Sequence, residues 1–232
     1  MTVDIVEAVD LDTGGRWLAA AVASQLRRAL RARGLATLAL PGGRTPTSFI
    51  TALGQQPLDW APVVITLTDE RFVPVADPLS NETMVRSALG GTPAAARLVG
   101  LRGRAATPEE AAAEAEGALA AARVPPLDVV VLGLGTDGHT ASLFPGGDRL
   151  AEALSLDCRA IVLPMRAPGV AEPRLTLSAA ALKGAAARFL LISGAEKRRT
   201  LQRALEDGPA EEMPIRAILR ASGSLTVVAA DA

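Results

Sequence analysis

The feature that most constrains this chain is a short, unbroken apolar run that stops abruptly at a glycine-rich turn. Its clearest copy is Asp128-Val-Val-Val-Leu132, followed at once by Gly133-Leu-Gly-Thr-Asp-Gly-His139. A run that is apolar at every position, rather than at alternate ones, is covered on both faces and reads as a fully buried strand. Gly133, Gly135 and Gly138 then end the strand and let the backbone turn sharply and approach a ligand closely. Asp137 and His139 lie in that turn, and His139 is the only histidine in the chain. Open α/β sheets place their chemistry just past the C-terminal ends of buried strands.

The same arrangement recurs. Leu35 to Leu40 leads into Pro41-Gly-Gly-Arg-Thr-Pro46, where Thr45 as N-cap and Pro46 as first helical residue predict a helix to about Leu53. Val63 to Thr68 leads into Asp69-Glu-Arg-Phe-Val-Pro74, and Ser80 or Asn81 then caps a helix ending near Gly90. Arg188 to Ser193 leads through Gly194 into a helix from Ala195 to Leu205. Weaker strands are expected at Leu98–Leu101, Ile161–Leu163, Arg174–Ser178 and Leu225–Val228. Gly15 to Arg33 has helical apolar spacing closed by Gly34, and Thr107-Pro-Glu-Glu110 is a capping box opening a helix to about Arg123. Strands alternating with helices predict an α/β fold. We expect an open, mostly parallel sheet covered by helices on both faces, in one domain spanning residues 1–232.

Composition removes several classes of function. A net charge of −1, with two Trp, four Phe and no Tyr, offers nucleic acid neither a cationic field nor a stacking surface. Cys158 is the only cysteine, so a disulfide framework is excluded and a histidine–cysteine metal site is improbable. The acidic N-terminus does not read as a signal peptide, and no uninterrupted apolar stretch is long enough to cross a membrane. The expectation is a cytoplasmic enzyme, without metal or cofactor, whose ordinary surface charge is compatible with a monomer.

Several residues stand where chemistry is expected. An imidazole titrating near pKa ~6.5 takes a proton from water at neutral pH, and an adjacent carboxylate orients it. That makes His139 with Asp137 the candidate catalytic pair. The turn containing Gly42, Gly43, Arg44 and Thr45 is either an anion-binding helix start or a plain tight βα turn. Arg71, Arg174 and Lys197 lie near the ends of different elements, and together they would suit a phosphorylated substrate. Lys197, in a first helical turn, opposes the helix dipole unless it meets an anion. Gly133-Leu-Gly-Thr-Asp-Gly138 also matches the dinucleotide fingerprint, but a lone match is weak and Pro145-Gly-Gly147 interrupts the helix that should follow.

Taken together, Pro41–Pro46, Thr68–Pro74 with Ser80-Asn81, Gly133–Pro145, Pro173–Leu177 and Ser193–Lys197 resemble, in order, the motifs of the 6-phosphogluconolactonase family. The resemblance implies a fold shared with glucosamine-6-phosphate deaminases, ribose-5-phosphate isomerases and CoA transferases. It also implies metal-free hydrolysis of a small phosphosugar lactone in the pentose phosphate pathway. His139 would then be general base and Asp137 its orienting acid. Gly42, Gly43, Arg44, Thr45, Asp69, Arg71, Arg174 and Lys197 would bind substrate. The deaminases continue the histidine loop with Asn-Glu, where this chain has Ser142-Leu143-Phe144. The first loop usually reads Ser-Gly-Gly-Ser, so Pro41 and Arg44 exchange hydroxyl donors for a cation. A sugar-phosphate isomerase or deaminase, or a non-catalytic sugar-phosphate-binding module, are the other classes this pattern admits.

Overall fold

The structure, a computed structural model, describes residues 2–91 and 96–231. Seven strands form the main sheet in the order β1 (Thr2–Ala8), β10 (Ser224–Ala230), β9 (Ala187–Ser193), β6 (Val129–Leu132), β2 (Ala36–Leu40), β3 (Val63–Leu67), β5 (Arg97–Leu98). Every pairing in it is parallel. All residues of β2, β3 and β6 are buried; β6 is apolar throughout, and the one polar residue in each of β2 and β3, Thr37 and Thr66, has its hydroxyl hydrogen-bonded. A second, antiparallel sheet sets β8 (Arg174–Leu177) between β4 (Asp69–Arg71) and β7 (Val162–Met165).

Right-handed crossovers place α1 (Leu11–Arg33), α2 (Thr47–Gly54) and α3 (Asn81–Leu89) on one face. They place α4 (Pro108–Ala121), α7 (Ala195–Leu205) and α8 (Ile215–Leu219) on the other. Short helices α5 (Leu150–Leu154) and α6 (Ala179–Lys183) complete the second layer, with α6 packed on α8. Starting at β2, the chain first adds β3 and β5 on one side, then returns through β6 to build β9 and β10 on the other. The order therefore reverses between β2 and β6. That reversal opens a crevice at the C-terminal strand ends, the position where such sheets bind ligands.

Local signals hold where they were strongest. The Thr107 capping box closes in both directions, Ser80 Oγ caps α3 through Thr83 N, and α7 begins and ends where its pattern does. Three expectations change. β1 was not foreseen: Val3 to Ala8 are half-buried or exposed, and pairing with β10 makes the segment a strand. α1 starts at Leu11 because the Asp10 carboxylate accepts from Thr13 N. Thr45 caps nothing: Pro46 occupies the N-cap of α2 in helical conformation, and Thr47 N instead bonds Arg44 O at 3.2 Å.

Candidate active site

Four adjacent strands, β3, β2, β6 and β9, deliver their C-terminal loops to one cleft of about 250 Å³. Its lining includes Gly42, Gly43, Arg44 and Thr45 from the β2 loop, Asp69 and Arg71 from β4, His139 from the β6 loop and Lys197 from α7. Asp137 stands behind His139, and Arg174 is not part of the lining.

The β6 loop is a tight turn. Gly138 N donates to Gly135 O at 3.1 Å, and Gly135 N donates to His139 O at 2.8 Å. This folds the His139 ring back over Gly135. His139 Nδ1 lies 2.6 Å from Asp137 Oδ1, which also accepts from His139 N at 3.1 Å. An ionised carboxylate only accepts, so Nδ1 carries a proton, and in the neutral ring Nε2 keeps its lone pair. An added Cβ on Gly135 would reach within 2.5 Å of Asp137 Oδ1 and closer to the imidazole, so only glycine admits the pair. The ring's other neighbour is Phe144, with centroids 4.6 Å apart and planes tilted by 52°. The His139 side chain is 32% exposed, enough to meet a small molecule in the cleft. Partial burial raises the Asp137 pKa, but hydrogen bonds from the His139 ring and backbone N–H, with the imidazolium charge, outweigh it and hold it below the ordinary aspartate value.

The loop is then fastened to the second sheet. Thr140 Oγ1 donates to Gly133 O at 2.9 Å, Ser142 N to Thr176 Oγ1 at 3.2 Å, and Ser142 Oγ to Asp69 Oδ2 at 2.6 Å. Ala141 between them has φ of 49°, a costly value for a residue with a side chain, and it lines the cleft. Asp69 thus ties β4 to the histidine loop, with Thr68 Oγ1 on its other oxygen at 3.0 Å.

Glu70 points the other way. Its buried carboxylate accepts from Arg71 N, Asn81 N and Glu82 N, each at 2.7 Å, and from Ser80 Oγ at 3.0 Å. Burial pushes its carboxyl up while these donors oppose the shift. It anchors the N-terminus of α3, which brings in a residue that sequence reasoning passed over. Asn81 was read only as a possible cap, yet its side chain lines the cleft, Nδ2 bonds Asp69 O at 2.8 Å, and the amide packs against Gly42. The available signal was redundancy, since one cap was needed and two cap residues stood in tandem.

The cations divide by depth. Lys197, Arg71 and Arg44 reach the cleft, and Arg71 Nη1 donates to Leu79 O at 2.6 Å. Arg174 lies directly across from Arg71 in the β4–β8 pair, with its side chain 14% exposed. Its buried Nη1 has no hydrogen-bond acceptor among the described residues, and the nearest carboxylate oxygen, on Glu172, is 4.0 Å away. Burial first, then the charge of Arg71, pulls the Arg174 pKa down. Like charges facing each other across strands repel, so the pair favours an added anion.

The chain is similar to known proteins over most of its length. The family model for glucosamine-6-phosphate isomerases/6-phosphogluconolactonase matches residues 12–227. A 6-phosphogluconolactonase of Rhizobium meliloti is 48% identical over 208 residues, covering 89% of each chain. One of Pseudomonas putida is 44% identical over 218 residues, covering 94% of this chain and 89% of its own. The crystal structure of a 6-phosphogluconolactonase from Shewanella baltica superposes with a TM-score of 0.94 at 34% identity, covering 100% of this chain and 98% of the other.

Proposed function

The chain belongs to the glucosamine-6-phosphate isomerase/6-phosphogluconolactonase family and hydrolyses 6-phospho-D-glucono-1,5-lactone to 6-phospho-D-gluconate in the oxidative pentose phosphate pathway; we propose that His139 is the general base. The observation that carries this assignment is the 2.6 Å contact between Asp137 and His139 Nδ1, which leaves Nε2 basic at a cleft lined by cations.

Nε2 takes a proton from water as the water oxygen attacks the lactone carbonyl carbon. The carbonyl becomes an oxyanion, and Asp137 stabilises the imidazolium formed beside it. Backbone N–H groups of Gly42 and Gly43, or a nearby cation, face that oxyanion. Collapse breaks the bond to the ring oxygen, which leaves with the proton returned from Nε2. The product acid then ionises. Lys197 and Arg71 hold the 6-phosphate, with the buried Arg174 across from Arg71 adding charge. Arg44 and Thr45 stand at the rim, where Arg44 supplies a further cation for the phosphosugar. Asp69 positions the histidine loop through Ser142 and offers its remaining lone pairs to sugar hydroxyls. Binding energy at the phosphate, remote from the carbonyl, supports the chemistry.

The mechanism uses no metal and no cofactor. No described helix is long and apolar enough to cross a membrane. We read the chain as a single sugar-phosphate hydrolase domain, working as a cytoplasmic monomer without nucleic-acid partners. The deaminase alternative needs a carboxylate after the histidine loop. Here Leu143 is fully buried and Phe144 lies on the imidazole.

The test is NMR-followed hydrolysis of freshly generated 6-phosphogluconolactone by wild type and His139→Ala. The variant should lose about 10²–10⁴-fold in kcat. Turnover that survives the substitution would remove His139 from the base role, and ammonia released from glucosamine 6-phosphate would point to deamination.

A further inference from the structure

Asp137 must be held at hydrogen-bonding distance from His139, yet its side chain is 50% exposed, so packing around the carboxylate itself does not fix it. The backbone on either side of it is held instead, from outside the cleft. Thr136 O accepts from Arg203 Nη2 of α7 at 3.1 Å. Thr200 Oγ1 lies 3.4 Å from the same carbonyl, although its shorter contact is to Glu196 O at 3.1 Å. On the far side, Gly138 O accepts from Ile215 N at 3.0 Å. Gly138 has φ of 89°, and a Cβ there would come within 2.9 Å of Met213.

The segment carrying Met213 is itself anchored. The buried Arg216 donates to Arg203 O at 3.1 Å, Asp207 O at 3.4 Å and Pro209 O at 3.2 Å. Arg220 adds bonds to Gly208 O at 2.6 Å and Glu206 O at 3.2 Å. Main-chain carbonyls that would otherwise leave the loop free are collected by two guanidinium groups. A loop fixed in this way presses a side chain onto the catalytic turn as a rigid part.

We propose that Arg203 on α7 and Met213 on the α7–α8 connection are the positioning residues of the Asp137–His139 pair. The proposal rests on His139 being the base. α7 also carries Lys197, six residues or about 9 Å of helix rise from Arg203. One helix thereby sets the distance between the phosphate grip and the turn that bears the base.

The experiment uses untagged protein, in which His139 gives the only histidine imidazole signal. Met213→Ala and Arg203→Gln are compared with the conservative Met213→Leu and Arg203→Lys. Each is assayed for kcat and KM on 6-phosphogluconolactone, for the low-field Nδ1 proton of the imidazole, and for Tm. Displacing the turn should lower kcat by about 10- to 100-fold, since misplacement by 1 Å costs on that order. KM should hold, the Nδ1 proton should broaden, and the conservative variants should recover both. Arg203 is on the surface, so its variants test the idea even if Met213→Ala fails to fold. Wild-type kcat with an unchanged imidazole signal in Arg203→Gln would overturn the proposal, as would a rise in KM at constant kcat. The imidazole spectrum reports positioning independently of rate, so loss of the base assignment through His139→Ala remains a separate result.

Discussion

Gly135→Ala is the sharpest probe of the catalytic geometry, because it adds one methyl group and removes no functional atom. The new Cβ would fall within 2.5 Å of Asp137 Oδ1 and closer to the His139 ring. Ordinary contact begins at 3.4 Å, so the carboxylate must retreat by about 0.9 Å and the imidazole by more. The 2.6 Å bond between them cannot survive that motion in its present form. A 1 Å misplacement costs on the order of 10²-fold, which corresponds to about 2.7 kcal/mol of barrier. Gly135 does not adopt a positive φ, so alanine introduces no backbone strain there. Both displaced side chains are partly exposed, His139 at 32% and Asp137 at 50%, so they can move toward solvent without opening a cavity. The expected result is therefore a kcat lowered about 10²-fold or more, KM little changed and Tm nearly unaltered. Initial rates on fresh lactone and a thermal melt measure both. Near wild-type kcat would refute the reasoning, because hydrolysis would then proceed without the observed Asp137–His139 contact. A large loss of Tm would instead show that the turn, and not the pair, is the fragile part.

Three further outcomes follow from particular contacts. Lys197→Met should raise KM about 10- to 100-fold with a smaller effect on kcat, as loss of a charge-assisted bond worth about 1.5–3 kcal/mol requires; an equal fall in kcat at constant KM would place Lys197 at the carbonyl instead. Glu70→Gln should destabilise by at least about 1–3 kcal/mol in urea unfolding, since each Glu70 oxygen takes two donors and either amide orientation turns an NH₂ toward two of them. Asp137 has a folded pKa below its ordinary 3.8, so its stabilisation is complete above that pH and is lost as pH falls through the folded value. Asp137→Asn should therefore flatten the acid-side slope of stability as well as lower kcat; an unchanged slope would mean that the pairing with His139 does not persist in solution.

Much of this architecture was legible because its signals are local. Predominantly apolar runs marked β2, β3 and β6 as buried on both faces, and the Thr107 box and the α7 pattern set helix ends within their own few residues. The Gly133–His139 turn announced itself through glycine and the sole histidine, and most candidate binding residues do converge on one cleft. What escaped were consequences of contacts between distant segments. β1 exists because β10 offers it a partner, and Thr45 is released from capping because the Arg44–Thr47 turn already closes the entry to α2. Arg174 looked equivalent to Arg71, but although the two are paired across β4 and β8 its side chain is buried and does not line the cleft. Asn81 reaches the cleft because Glu70 draws the start of α3 inward, a bond spanning eleven residues.

The sequence by itself marked the buried strands β2, β3 and β6, the glycine-rich turns that follow strands, and one imidazole beside one carboxylate as the candidate base. Tertiary structure alone decided that the sheet reverses between β2 and β6, which cations reach the cleft, and that Arg203 of α7 and Ile215 of α8 hydrogen-bond to the turn carrying Asp137. The division has a physical cause. Periodicity, capping and turn chemistry act over a few residues and are written in them, whereas strand order, register and close approach depend on which distant surfaces bury each other.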